Sequence, residues 1–147
     1  MHMYTALLPV DDDEDRARRA AHAVTSLPGS AEDLRVVVLN ISKLKQQPWL
    51  VEAETHLTAE DDLDESEVPE SVDIASDILE EYGATVEKRF KHGNPPDRII
   101  AVAAELMADG IVMCGRKRSA AGKALFGSVT EHVLLEAQRP ILLIRDA

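Results

Sequence analysis

Short aliphatic runs alternate along this chain with stretches in which apolar residues recur every three or four positions. The run "YTALLPV" (Tyr4 to Val10) has no polar alternation, as a strand buried on both faces should read, and Pro9 marks its end. After "DDDED", Ala17, Ala20, Ala21 and Val24 form a helical stripe whose acidic start favours the positive end of the helix dipole. "PGS" stops that helix. "LRVVVLNI" (Leu34 to Ile41) predicts a second buried strand. Val72, Ala75, Leu79 and Tyr82 mark a second helix ended by Gly83, and "ATVEKRFK" alternates as a half-exposed or edge strand does. "GNPP" opens a third helix with Ile99, Ala103, Leu106 and Met107 on its buried face. "GIVMCG", "SVTEHVLLEA" with Ser128 as a cap, and "PILLIR" then predict a strand, a helix and a last short buried strand.

Strands alternating with helices predict an α/β fold: a doubly wound, five-stranded parallel sheet with helices on both faces, Rossmann-like in kind. Ligands of such sheets sit beyond the carboxyl ends of the strands, here "PVDDD", "LNISK", "KHGNP" and "MCGRK". The whole chain, 1–147, reads as one domain with an acidic loop at about 42–68. That loop has no calcium-loop spacing and reads as a solvated connection, with Trp49 read first as packing it on the body and second as touching a partner.

Composition narrows the function. The formal net charge of −11 argues against nucleic acid or an anionic membrane as partner. The acidic surplus fits an ordinary soluble acidic protein or a halophile's hydrated surface, and both readings stand. No apolar run is long enough for a transmembrane helix, the start of the chain does not read as a signal peptide, and one cysteine fits a reducing cytoplasm. The five histidines (His2, His22, His56, His92, His132) show no paired metal spacing, so no metal site is expected. No catalytic constellation stands out. Cys114, near several basic residues, reads first as a small half-buried side chain and second as a redox-sensitive thiol. Ser119 follows a basic string that resembles a phosphorylation context.

Four marks occur in order: "LLPVD", "VVVLNI", "GNPPDRIIAVA" and "ADGIVMCG…GSVTEHVL…RPILLI". Together they resemble the universal stress protein (UspA-like) family, across nearly the whole chain apart from the acidic insert. The resemblance implies an adenine-nucleotide alpha-hydrolase-like fold and a homodimer formed through the last strand. Nucleotide-binding members carry G-x2-G-x9-G-[ST] after the fourth strand. In this sequence the first glycine falls on Cys114 and the second on Lys117, while Gly127 and Ser128 are kept. Gly115 takes the first place only if the loop loses a residue. A Cβ at a left-handed position costs roughly 1–2 kcal/mol, so two such losses predict an affinity lower by about 10- to 1000-fold. Arg116, Lys117, Arg118 and Lys123 crowd the same loop, and read either as a solvated surface salt-bridged to acidic groups, a dimer partner's included, or as side-chain grips for phosphate.

The resemblance also places Asp11 beside the adenosine moiety and the Ile41 backbone against the adenine. Asp11 reads equally as an acid at a helix start. The expected site residues are therefore Asp11, Ile41, Cys114, Gly115, Arg116, Lys117, Gly127 and Ser128. The expected function is a non-enzymatic, cytoplasmic, dimeric regulatory or protective module of the stress response with weak or lost ATP binding. The rival is an ATP/AMP sensor using a modified phosphate loop, and slow hydrolysis of bound nucleotide is a distant third. No cofactor is certain; ATP or another phosphate-bearing anion is the candidate ligand, and a protein partner the candidate effector.

Overall fold

The computed structural model describes residues 3–42, 68–115 and 127–145. The strands are β1 (Tyr4–Pro9), β2 (Leu34–Ser42), β3 (Thr85–His92), β4 (Gly110–Gly115) and β5 (Ile141–Arg145). The helices between them are α1 (Glu14–Thr25), α2 (Glu70–Tyr82), α3 (Pro95–Leu106) and α4 (Ser128–Glu136). All strand pairings are parallel, in the order β3-β2-β1-β4-β5. The chain thus runs from β1 outward to the β3 edge, then returns across the sheet to β4. That reversal makes β1 and β4 the switch point, where a crevice opens beyond the strand ends.

Two apolar layers follow from the two-residue period of the strands. Ala6, Leu8, Val36, Val38 and Val112 face one side and meet Ala17, Ala20, Ala21 and Val24 of α1 and Val72, Ala75 and Leu79 of α2. Leu7, Val37, Leu39, Ile111 and Met113 face the other and meet Ile99, Val102 and Ala103 of α3 and Val133 of α4. The small alanines let α1 lie close on the sheet. Truncating a fully buried residue such as Leu79 removes contact on all sides and costs about 2–5 kcal/mol.

Helix ends are set locally. Asp13 caps α1, its carboxylate accepting from the Arg16 N–H at 2.9 Å. α2 ends at Gly83, whose φ of 109° lets the Gly83 and Ala84 N–H groups both reach the Leu79 carbonyl. α3 ends in the same kind of turn, with Ala108 donating to the Ala103 carbonyl, but the left-handed residue is Met107 (φ 48°).

Three expectations change. Met107 is not on the buried face of α3; it is 73% exposed, because the left-handed turn swings it off the helical stripe. β5 is not a buried strand but the open edge of the sheet, with Leu142 39% exposed. Ser128 does not cap α4: Gly127 holds the cap position with no side-chain bond, and Ser128 is the first helical residue. β2 continues through Ser42, and the rest of the expected acidic loop up to residue 67, with Trp49 and His56, lies outside the described residues.

Candidate functional site

A cleft of about 620 Å³ lies at the switch point, beyond the carboxyl ends of β1, β2 and β4. Its lining includes Asp11, Ile41, Cys114, Gly127 and Ser128, so five expected residues from four separate segments converge there. Gly115 ends β4, paired with Arg145, and is buried. Arg116 and Lys117 lie outside the described residues, as do Arg118, Ser119 and Lys123.

The β2 wall is built by register. Val10 N–H donates to the Leu39 carbonyl at 2.8 Å, and Gly93 N–H donates to the Ser42 carbonyl at 3.1 Å. Odd-numbered residues at this end of β2 therefore turn their peptide groups toward β1, and even-numbered ones toward β3. Ile41 is odd, and β1 has already ended at Pro9, so its N–H and C=O point into the cleft. The Val10 carbonyl, which the next rung would otherwise engage, accepts instead from the Asn40 amide at 2.8 Å. A donor and an acceptor on one edge match the hydrogen-bonding edge of a planar base.

The opposite wall is the start of α4. Gly127 has φ −71° and ψ 166°, a conformation open to any residue, and a Cβ added there meets none of the described residues within 4 Å. Chain geometry alone does not require this glycine. Among the described residues no side chain caps the N-terminus of this nine-residue helix, which lines the cleft and where main-chain N–H groups and the helix dipole favour an anion.

Cys114 corrects the expectation of backbone strain. It sits in regular β4, opposite Ile144, and among the described residues Met107 is the one non-glycine with positive φ. A Cβ at position 114 thus carries no left-handed penalty. The thiol is half-buried, packed beside the α1 layer.

Asp11 lines the cleft with its side chain about 50% exposed. Its Oδ1 accepts from the Asp13 N–H at 2.9 Å and its Oδ2 from Arg16 Nη2 at 2.5 Å. The other arm of the guanidinium, Nη1, lies 3.2 Å from Asp13 Oδ2. Arg16 is thereby buried on the inner face of α1 while lining the cleft, its charge balanced by two carboxylates. On the far side, Ser71 of α2 donates to the Asp11 main-chain carbonyl at 2.5 Å.

Sequence reasoning missed Asn40, Arg16 and Ser71. Asn40 left a trace, being the one polar residue in "VVVLNI". Among the described residues no cluster of three His, Cys, Asp or Glu could hold a metal ion. Nor, among them, is any helix long and apolar enough to cross a membrane.

A five-stranded parallel sheet with helices on both faces and a cleft at its switch point defines an α/β protein of Rossmann-like fold. The chain matches the universal stress protein family over residues 3–145, and it belongs to that family. A universal stress protein of Methanocaldococcus jannaschii is 26% identical over 140 residues, 95% of this chain and 80% of the relative. The solved universal stress protein from Archaeoglobus fulgidus is 27% identical, with a TM-score of 0.67 over 96% of this chain and 98% of that one. A complex of the universal stress protein from the same organism with dAMP is 25% identical, with a TM-score of 0.61 over 98% of this chain and 99% of that one.

Proposed function

We propose that this chain is a non-enzymatic regulatory module of the stress response whose cleft holds an adenine nucleotide chiefly by its nucleoside half. The observation that carries this reading is that the Ile41 peptide edge and the N-terminus of α4 line one cleft of fitting size. The dAMP complex of the Archaeoglobus fulgidus protein supports the ligand class. The family's second loop glycine is replaced at Lys117, so the grip on outer phosphates is the weaker part. AMP is then held about as tightly as ATP, and weak ATP binding is the outcome. The engagement of both Asp11 oxygens argues for a binding role over hydrolysis.

The same reading makes the protein a homodimer joined at β5, located in the cytoplasm. β5 is the last strand of the sheet, with no partner on its outer side among the described residues, and its Leu142 is exposed. Calorimetric titration of adenosine, AMP and ATP–Mg²⁺, at low salt and in about molar KCl, tests the ligand reading, since salt at that strength screens exposed charge. AMP should bind in both buffers, with ATP within about tenfold of it. Absence of heat from folded protein with all three ligands would overturn the proposal.

A further inference from the structure

The family resemblance and the strand order together give each part of such a ligand a place. The base belongs at the end of β2, at Ile41, and the phosphate beyond β4, at Gly127. β1 lies between them, and neighbouring strands are about 4.8 Å apart, so the sugar falls over the end of β1, at Asp11. This step rests on the reading of the cleft as an adenine-nucleotide site.

A carboxylate in that place ordinarily gives ribose hydroxyls a charged acceptor. When the acceptor is otherwise unpaired, a sugar lacking the hydroxyl leaves it buried and unsatisfied, and the site discriminates strongly. Here the acceptor is already engaged. Arg16 and the Asp13 N–H hold its two oxygens at 2.5 and 2.9 Å, and Ser71 fixes its main chain from α2. The carboxylate is neither unpaired nor free to turn, and Arg16 offsets its charge. A deoxy sugar therefore leaves nothing unsatisfied.

We infer that Arg16 is a specificity-determining residue: by pairing with Asp11 it makes the site indifferent to the sugar's 2′-hydroxyl, so ribo- and deoxyribonucleotides are held alike. Arg16 acts here through Asp11 rather than through the ligand.

Titration of AMP and 2′-deoxy-AMP into the full chain tests this. The wild-type protein should bind the two within about threefold of each other. Arg16→Met keeps the buried stem of the side chain but removes the donors, and should raise the preference for AMP to at least about tenfold, the worth of a hydrogen bond to an exposed charge. A wild-type preference for AMP beyond tenfold overturns the inference while leaving the nucleotide reading intact, and needs no variant. A folded Arg16→Met protein with an unchanged ratio also overturns it. If folded wild-type protein binds neither nucleotide, the nucleotide reading falls, and the inference falls with it.

Discussion

The Asn40 side-chain amide donates to the Val10 carbonyl at 2.8 Å, in a place where both residues are buried and the β1–β2 ladder has just run out. This bond satisfies the last acceptor of β1 and leaves the next peptide of β2 facing the cleft. Asn40→Leu should cost about 1–3 kcal/mol, because the carbonyl loses its partner without gaining water. Asn40→Asp should cost more at pH 7, since a carboxylate cannot donate and is buried against a carbonyl oxygen. Chemical denaturation of the two variants at pH 7 checks the order.

Gly127 sets stability against binding. Gly127→Ser meets no neighbour among the described residues and supplies the side-chain cap that α4 lacks there, so stability should rise by a few tenths of a kcal/mol. The same side chain would occupy the N–H groups proposed to face phosphate. AMP affinity should fall several-fold while adenosine affinity holds, as paired titrations would show.

Tyr4 and Gly110 share one small space at the base of the sheet. A Cβ on Gly110 would overlap the Tyr4 hydroxyl, yet lie 3.5 Å from the ring carbon that bears it. Gly110→Ala should therefore cost about 1–3 kcal/mol, and most of that cost should vanish in a Tyr4→Phe background. A double-mutant cycle reads the coupling directly.

Glu87 gives the fold a pH dependence. Burial pushes its pKa up, but hydrogen bonds from Arg89 and Arg35 outweigh burial and hold it below the ordinary 4.5. A lowered carboxylate pKa stabilises the fold above the unfolded value, and that contribution is lost as pH falls through the folded value. Glu87→Gln should thus lower Tm at pH 7, and the gap from wild type should close below about pH 4.5. The side chain is 39% exposed, so the effect belongs to the range of surface pairs, on the order of 0.2–1 kcal/mol.

Much of this architecture was legible in the sequence because periodicity reports burial. The stripe from Ala17 to Val24 and the unbroken run from Val36 to Leu39 can only face apolar layers. Helix ends were less legible. Gly83 announces its left-handed turn, whereas α3 makes the same turn with Met107, whose apolar side chain extends the stripe one residue too far. At the site, convergence of Asp11, Ile41, Cys114, Gly127 and Ser128 followed from topology and resemblance. The strain assigned to Cys114 did not, since a lost glycine says nothing of whether the chain there is still left-handed. Arg16 was hidden for another reason: its burial depends on Asp11 and Asp13 folding back over it, a local turn that no hydrophobic period encodes.

The order of the strands also divides the protein into two unequal halves. β1 is zipped to β2 from Tyr4 opposite Leu34 to Pro9 opposite Leu39, but to β4 only from Ala6 opposite Gly110 to Leu7 opposite Ile111. The first three strands are neighbours in sequence and can assemble early; β4 must find β1 across about a hundred residues of chain, a slower closure. The cleft straddles that thin seam, so it comes into being only when the second half docks. A nucleotide lying across it would work as a bracket, and amide exchange along the β1–β4 seam should slow on AMP binding while exchange between β1 and β2 barely changes. In such a protein, ligand occupancy reports whether the two halves of the chain are closed.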